Sequence, residues 1–381
     1  MKSVLGRVLL AGYFAMSYTA CSSGGDGGPT PPPEPTYKYF AYVAHNYAQG
    51  SVTAWTIDSA TGVLNHISNG DASAGSFPIS VAVHPTGKFV YVANRDSQNI
   101  SVYAIYSSTG HLTEIPGSPF ALAQDTSPFS VTVEPSGKFA YVANIYPGNV
   151  SAFLINTNTG ALTEMAGSPF ATGTGPTSVA VDPGGKFAYV TNNGSDNVSA
   201  YAINPNTGAL TEIAGSPFAA GSAPVSVTVD PGGKFAYVTN NDSDNVSAYT
   251  INSGSGALTE IAGSPFAAAS QPYVVKVDPT GKFAYVTNYG SGNVSAYAVN
   301  STTGALTEIA GSPFAAGLEP SSLAADPTGK FVYVTNYFEG DISAYSFNSS
   351  TGALSQISGS PFYYYVPGRY PCSIATTKVK Q

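Results

Sequence analysis

The sequence predicts an all-β fold: a seven-bladed β-propeller of four-stranded antiparallel blades, closed by a C-terminal strand that joins the first blade. Three observations predict it. First, a segment Gly-Lys-Phe-x-Tyr-Val-x-Asn recurs, with its Phe at Phe89, Phe139, Phe187, Phe235, Phe283 and Phe331, and a shorter copy begins at Phe40. The spacing of 48 to 50 residues is the period of a four-stranded blade. Second, 41 Gly, 28 Pro, 26 Tyr and 19 Phe stand against only 9% charged residues. That composition suits turns and aromatic strands rather than helices. Third, the ends are complementary. The first copy lacks the Pro-x-Ser-Val-Ala-Val run that precedes the others, and Pro371-Cys-Ser-Ile-Ala375 supplies it. Closing the ring this way removes unpaired strand edges.

The elements follow in chain order. Residues 1–20 read as a signal peptide: Lys2 and Arg7 form a basic start, Val8 to Met16 a short apolar run, and small residues lead to Ala20. The apolar run is too short to cross a membrane as a helix. Residues 21–36 read as a linker, with SSGGDGGPTPPPEPT after Cys21. Gly and Ser make its first part flexible, and Pro stiffens the second. The repeat then occupies residues 37–381. In the unit 177–218, Ser178-Val-Ala-Val181 is an inner strand and Asp182-Pro-Gly-Gly185 a turn. There Asp accepts backbone hydrogen bonds, Pro presets φ and Gly takes the left-handed conformation. Phe187-Ala-Tyr-Val190 is the second strand, and Asn192 to Asp196 a polar loop. Val198 to Ile203 alternates as a half-buried third strand. Asn204-Pro-Asn-Thr-Gly208 is a turn, and Ala209 to Ile213 a fourth strand. The recurring Lys of Gly-Lys-Phe and Glu of Leu-Thr-Glu read as solvated turn and edge residues.

Charge and cysteine content exclude several functions. A net charge of −8 argues against nucleic acid, which needs a concentrated basic face. Two Cys in 381 residues give no disulfide framework. No Gly-x-Ser-x-Gly elbow or Cys/His metal spacing is present. Asn241-Asp-Ser-Asp244 lacks the full ligand series of a calcium loop. No cofactor or metal is expected.

Two resemblances add to this reading. Tyr18-Thr-Ala-Cys21 resembles the lipobox of bacterial lipoproteins, although Tyr18 stands where an aliphatic residue is usual. It implies lipidation at Cys21, a membrane as partner and the bacterial cell envelope as location. Ser22 after the Cys resembles outer-membrane sorting. The Tyr-Val-Thr-Asn segments ending at Asn192, Asn240, Asn288 and Asn336 resemble the repeats of the lactonase-like seven-bladed propellers. This resemblance covers residues 37–381. It implies the propeller fold and, as one option, the activity of propeller-type 6-phosphogluconolactonases. The family also includes many extracytoplasmic proteins of unknown activity, and function belongs to sites rather than folds.

Residues that break the repeat mark the candidate site. They concentrate on one face, in the loops after the second strands and in the connections between blades. A lactonase must activate water and stabilise an oxyanion. His45 or Glu319 could be the base, and Arg95 or Arg369 could bind negative charge. Tyr47, Tyr146, Tyr273, Tyr289, Tyr337 and Tyr370 are the candidate ligand-binding aromatics. His84 occupies the turn position held by Asp or Glu in other copies, on the opposite face, and reads as a turn variant. Cys372, at the start of the closing strand, reads as a small buried residue.

Two functions compete at this stage. One is a lipid-anchored, extracytoplasmic binding module that takes a protein, glycan or small molecule on its loop face. The other is a hydrolase that opens a lactone ring. Catalysis requires Arg95, Arg369 and a nearby His or carboxylate to converge at one channel mouth. Pure binding requires a broad face of Tyr and Phe.

Overall fold

A computed structural model describes residues 35–363, 368 and 370–381. The stretch read as a signal peptide, Cys21, most of the stretch read as a linker and Arg369 lie outside the described residues. From Tyr37 onward the chain forms seven antiparallel sheets. In blade four the inner strand Pro176–Val181 pairs with Phe187–Asn192, which pairs with Asn197–Ile203. The outer layer is divided in two. Leu210–Glu212 lies along one half of the third strand, and the two-residue strand Phe218–Ala219 along its other half. The blades therefore have the expected four strands plus this short addition. Blade one is completed by Pro371–Lys380, whose partners on Tyr37–His45 run from Tyr37↔Lys380 to His45↔Pro371.

The core lies between blades. Each second strand is buried on both faces, so its sequence is a continuous apolar run. The run alternates large and small. Phe139 and Tyr141 of blade three face Ala188 and Val190 of blade four, with Met165, Val179 and Tyr201 around them. Bulky residues on one blade meet small ones on the next, which fills space at crystal-like density. Phe-Ala-Tyr-Val recurs because every interface is built this way.

Two tyrosine contacts pin the interfaces. The second-strand Tyr donates its hydroxyl hydrogen to a glycine carbonyl in the following blade, as Tyr141 does to Gly208 at 2.8 Å and Tyr189 to Gly256 at 2.9 Å. Tyr333 to Gly62, at 2.8 Å, carries this contact from blade seven to blade one. In the other direction, Tyr201 donates to the carbonyl of Ala171 in the short strand of blade three, at 2.6 Å. The glycine has φ near +75° at Gly208 and Gly304, and a Cβ there would strike the facing Phe ring. Both the backbone conformation and the close approach require glycine.

The two ends of each second strand are fixed by side chains. At its start, Asp182 accepts hydrogen bonds from the backbone N–H of Gly184, Lys186 and Phe187. At its end, Asn192 Nδ2 donates to Asn197 Oδ1 at 2.7 Å and Ser199 Oγ at 2.9 Å. His84 takes the Asp position in blade two. Its Nδ1 accepts from the N–H of Thr86, and Nε2 is hydrogen-bonded to the carbonyl of Gly137 in blade three. Burial holds its pKa below the ordinary value.

Candidate functional site

The inner strands carry an irregularity that builds the site. Pairing with the second strand skips one residue just after each strand's proline. In blade six, Pro272 pairs with Asn288 and Val274 with Thr287, leaving Tyr273 extra. Such a bulge re-aims a side chain and is common beside active sites. The residues in this position are Ile79, Phe129, Thr177, Val225, Tyr273, Ser321 and, in blade one, Cys372. All seven line a cavity of about 540 Å³ along the channel. Its lining also includes Asn46, Arg95, Tyr289, Tyr337 and Lys276.

The mouth is aromatic and interlinked. Tyr273 and Tyr289 pack with ring centroids 5.4 Å apart, and Tyr337 stacks on Tyr370 at 5.0 Å. The Tyr289 hydroxyl donates to Glu319 Oε2 at 2.7 Å. Burial first, and this carboxylate second, push the Tyr289 phenol well above its ordinary value, so it stays a hydrogen-bond donor. Arg95 lies over the Phe77 ring at 5.4 Å and bonds Asp96 Oδ1 through Nε at 3.0 Å. Its terminal guanidinium nitrogens have no such bond among the described residues and remain available to a ligand. Tyr337 is within electrostatic reach of both Arg95 and Glu319, which brings cation and carboxylate to one mouth. Asn46 joins this network: its Oδ1 accepts from the Tyr337 hydroxyl at 3.4 Å, and its Nδ2 donates to the carbonyl of Pro78 at 3.3 Å.

The sequence-predicted residues thus divide. Arg95, Tyr273, Tyr289 and Tyr337 line the cavity, while Glu319 and Tyr370 stand behind the tyrosines they touch. Arg369 is outside the described residues. His45 is not at the mouth. It is 2% exposed, and its Nε2 is hydrogen-bonded to Thr53 Oγ1 at 2.9 Å inside blade one. It ends the second strand where other copies have Asn, and Thr53 stands where they have Ser. His45 therefore serves as that blade's internal clasp and cannot reach a channel substrate. Tyr47 is half-buried and Tyr146 is 68% exposed, and neither lines the cavity. Cys372 is buried as expected, its thiol directed at the carbonyls of Pro78 and Ala44.

Lys276 was not among the expected site residues. It belongs to the channel-facing set of the inner strand, where the other blades have Ala or Thr at the same register. Strands on all sides desolvate it, which lowers its pKa, although its surface is open to the channel. The signal was present in the sequence as the one charged residue among the six-residue inner strands of blades two to seven.

Comparison with known proteins agrees with this architecture. No curated protein matches the sequence. Among solved structures, a candidate 6-phosphogluconolactonase from Bacteroides uniformis superposes with a TM-score of 0.75 at 21% identity, covering 89% of this chain and 99% of that one. The periplasmic gluconolactonase PpgL of Pseudomonas aeruginosa gives 0.74 at 19% identity, over 89% and 99%. A functionally unknown protein from Desulfotomaculum acetoxidans gives 0.69 at 15% identity, over 88% and 98%. At these identities the likeness is one of fold. The family model "Lactonase, 7-bladed beta-propeller" matches residues 36–121, 117–276 and 261–364, and with nearly the whole repeat region matched, the chain belongs to that family of lactonase-type seven-bladed propellers.

Proposed function

We propose that the protein is a lactone hydrolase acting at the channel mouth. One observation carries the reading: Arg95, Tyr289 and Tyr337 line a single aromatic-walled cavity, and the Tyr289 hydroxyl holds the Glu319 carboxylate. In the reaction, a water oxygen attacks the lactone carbonyl carbon and gives its proton to the Tyr289 hydroxyl, which lines the cavity and passes its own proton to the Glu319 carboxylate behind it. Negative charge grows on the carbonyl oxygen, where the free end of the Arg95 guanidinium stabilises it. The ring C–O bond then breaks, and the leaving alkoxide recovers a proton from Glu319 through Tyr289, giving a hydroxy acid. Tyr289 holds the carboxylate in orientation, and the tyrosine faces receive the ring of the substrate. The names of the structural neighbours, a candidate 6-phosphogluconolactonase and a periplasmic gluconolactonase, support a sugar lactone as the substrate class.

The experiment is hydrolysis of a panel of sugar and acyl lactones. Removing one oxyanion-stabilising group costs roughly a hundredfold or more in turnover. Arg95→Ala and Glu319→Gln are each expected to lower kcat/KM by about that factor, with wild-type thermal stability. Turnover unchanged by both substitutions defeats the assignment. The two aromatic pairs favour a second reading, a sugar- or peptide-binding module, which predicts saturable binding at the same mouth with no turnover.

The envelope location belongs to the same proposal. A Cys followed by a Gly/Pro-rich spacer suits a tethered enzyme. Labelling of cells with a fatty-acid probe is expected to mark the wild type and not Cys21→Ser. Equal labelling of both removes the anchor.

A further inference from the structure

The cavity below the mouth has a charge pattern that hydrolysis does not use. Among the described residues its only charged lining groups are Arg95 and Lys276, two cations on a chain of net charge −8. Arg95 is paired with Asp96, whereas Lys276 has no carboxylate within ion-pair distance among the described residues. An uncompensated cation in a confined channel is unfavourable unless something negative joins it.

A ring of hydroxyls stands beside it. Ser80, Ser130, Ser178, Ser226, Ser322 and Ser373 occupy one register on six inner strands and all line the cavity. Five of them accept the backbone N–H of the neighbouring inner strand, as Ser373 does from Val81 at 3.1 Å and Ser226 from Val275 at 3.5 Å. The oxygen is thereby engaged with the wall. The hydroxyl hydrogen of these five has no acceptor among the described residues and is free to point into the bore. Blade six is the exception: Val274 replaces the serine, and Lys276, two residues on and on the same face of the strand, brings an ammonium instead. Free O–H donors and an ammonium on one bore, with no facing carboxylate among the described residues, are complementary to an anion.

We propose that the channel bore is a binding site for a small oxyanion, a carboxylate, sulfate or phosphate, held by the Lys276 ammonium and the hydroxyls of the serine ring. The site is separate from the mouth chemistry and requires no lactone. Its occupant neutralises the unpaired cation that Lys276 places on the channel wall.

The test is calorimetric titration of the purified protein with sodium sulfate, sodium phosphate and sodium acetate, each against sodium chloride at matched ionic strength. At least one oxyanion is expected to bind saturably, and the ranking of the three identifies the preferred geometry. Lys276→Thr installs the residue that blade five carries at this register, Thr228. It is expected to weaken binding about tenfold or more and to melt no lower than the wild type in chloride alone. Amine-reactive footprinting of the wild type provides a readout that needs no variant: saturating oxyanion is expected to protect Lys276 and leave Lys88 and Lys138 unprotected. No saturable binding of any of the three, Lys276→Thr titrating like the wild type, or Lys276 labelled equally with and without oxyanion each overturns the proposal. Because no lactone enters these assays, their failure leaves the hydrolase reading untouched, and the reverse holds as well.

Discussion

At the scale of single residues, what matters is which member of the repeat each departure replaces. His84 replaces a turn aspartate and does more than its counterparts, because its second ring nitrogen reaches the Gly137 carbonyl in the next blade. Burial favours the neutral ring and outweighs the Gly137 bond, which favours the charged one, so the folded-state pKa lies below the unfolded value of about 6.5. The stability it contributes is full above that pH and is lost as pH falls through the depressed folded value. Wild-type melting temperature is therefore expected to drop on mild acidification. His84→Asp, the residue of most other copies, should flatten that part of the profile. A profile identical in both proteins would show that His84 carries no pH sensitivity. His45 is the parallel case for asparagine. Aligning Ala44-His45 with Ala93-Asn94 already assigns it to the blade interior, but read as the start of a loop it looks like a free base. Lys276 was hidden for the opposite reason. Attention to variable loops passes over a strand, and only the register shows that this lysine faces the channel.

At the scale of elements, the interface between blades is held by large-on-small packing and one phenolic hydrogen bond. Tyr237→Phe removes the hydroxyl that donates to the Gly304 carbonyl at 2.9 Å and leaves that carbonyl unsatisfied. A loss of roughly 1–3 kcal/mol is expected, read as a lower denaturation midpoint with an unchanged slope. Tyr285→Phe acts at a different interface, so the double variant should lose the sum. A double variant no less stable than either single one would contradict independent latches. The strands themselves were legible in the sequence. Phe-Ala-Tyr-Val, the Asp-Pro turns and the alternating third strands fix their own identities by periodicity and turn chemistry. The bulge after each inner-strand proline was not. It adds a residue without changing local composition, and only pairing with the next strand exposes it. Yet that bulge turns Tyr273 toward the channel, so the site's main shaping device was the part least visible beforehand.

At the scale of the whole molecule, the ring depends on its last strand. Truncation after Tyr370 removes the inner strand of blade one and uncovers the edge of Tyr37–His45 that pairs with it. An open propeller with exposed edges is expected to self-associate or unfold at lower temperature. A synthetic peptide of residues 371–381 should restore the monomer by strand addition. A truncated protein that stays monomeric with wild-type melting would show that closure is dispensable. Ring closure was the long-range feature best foretold, because a missing segment at one end and a surplus one at the other admit a single joining.

The same joining brings the two ends of the propeller together. Tyr37 pairs with Lys380, and both lie on the turn side of the disc, near Gly87 and the His84 turn, away from Arg95 and the tyrosines. A fusion attached directly at Tyr37 or after Lys380 therefore starts on the face away from the channel mouth. The propeller, residues 37–381, can be fixed to a solid support through either of its own ends with the same orientation, mouth outward, and two such propellers joined end to end would present their openings in opposite directions without competing for space.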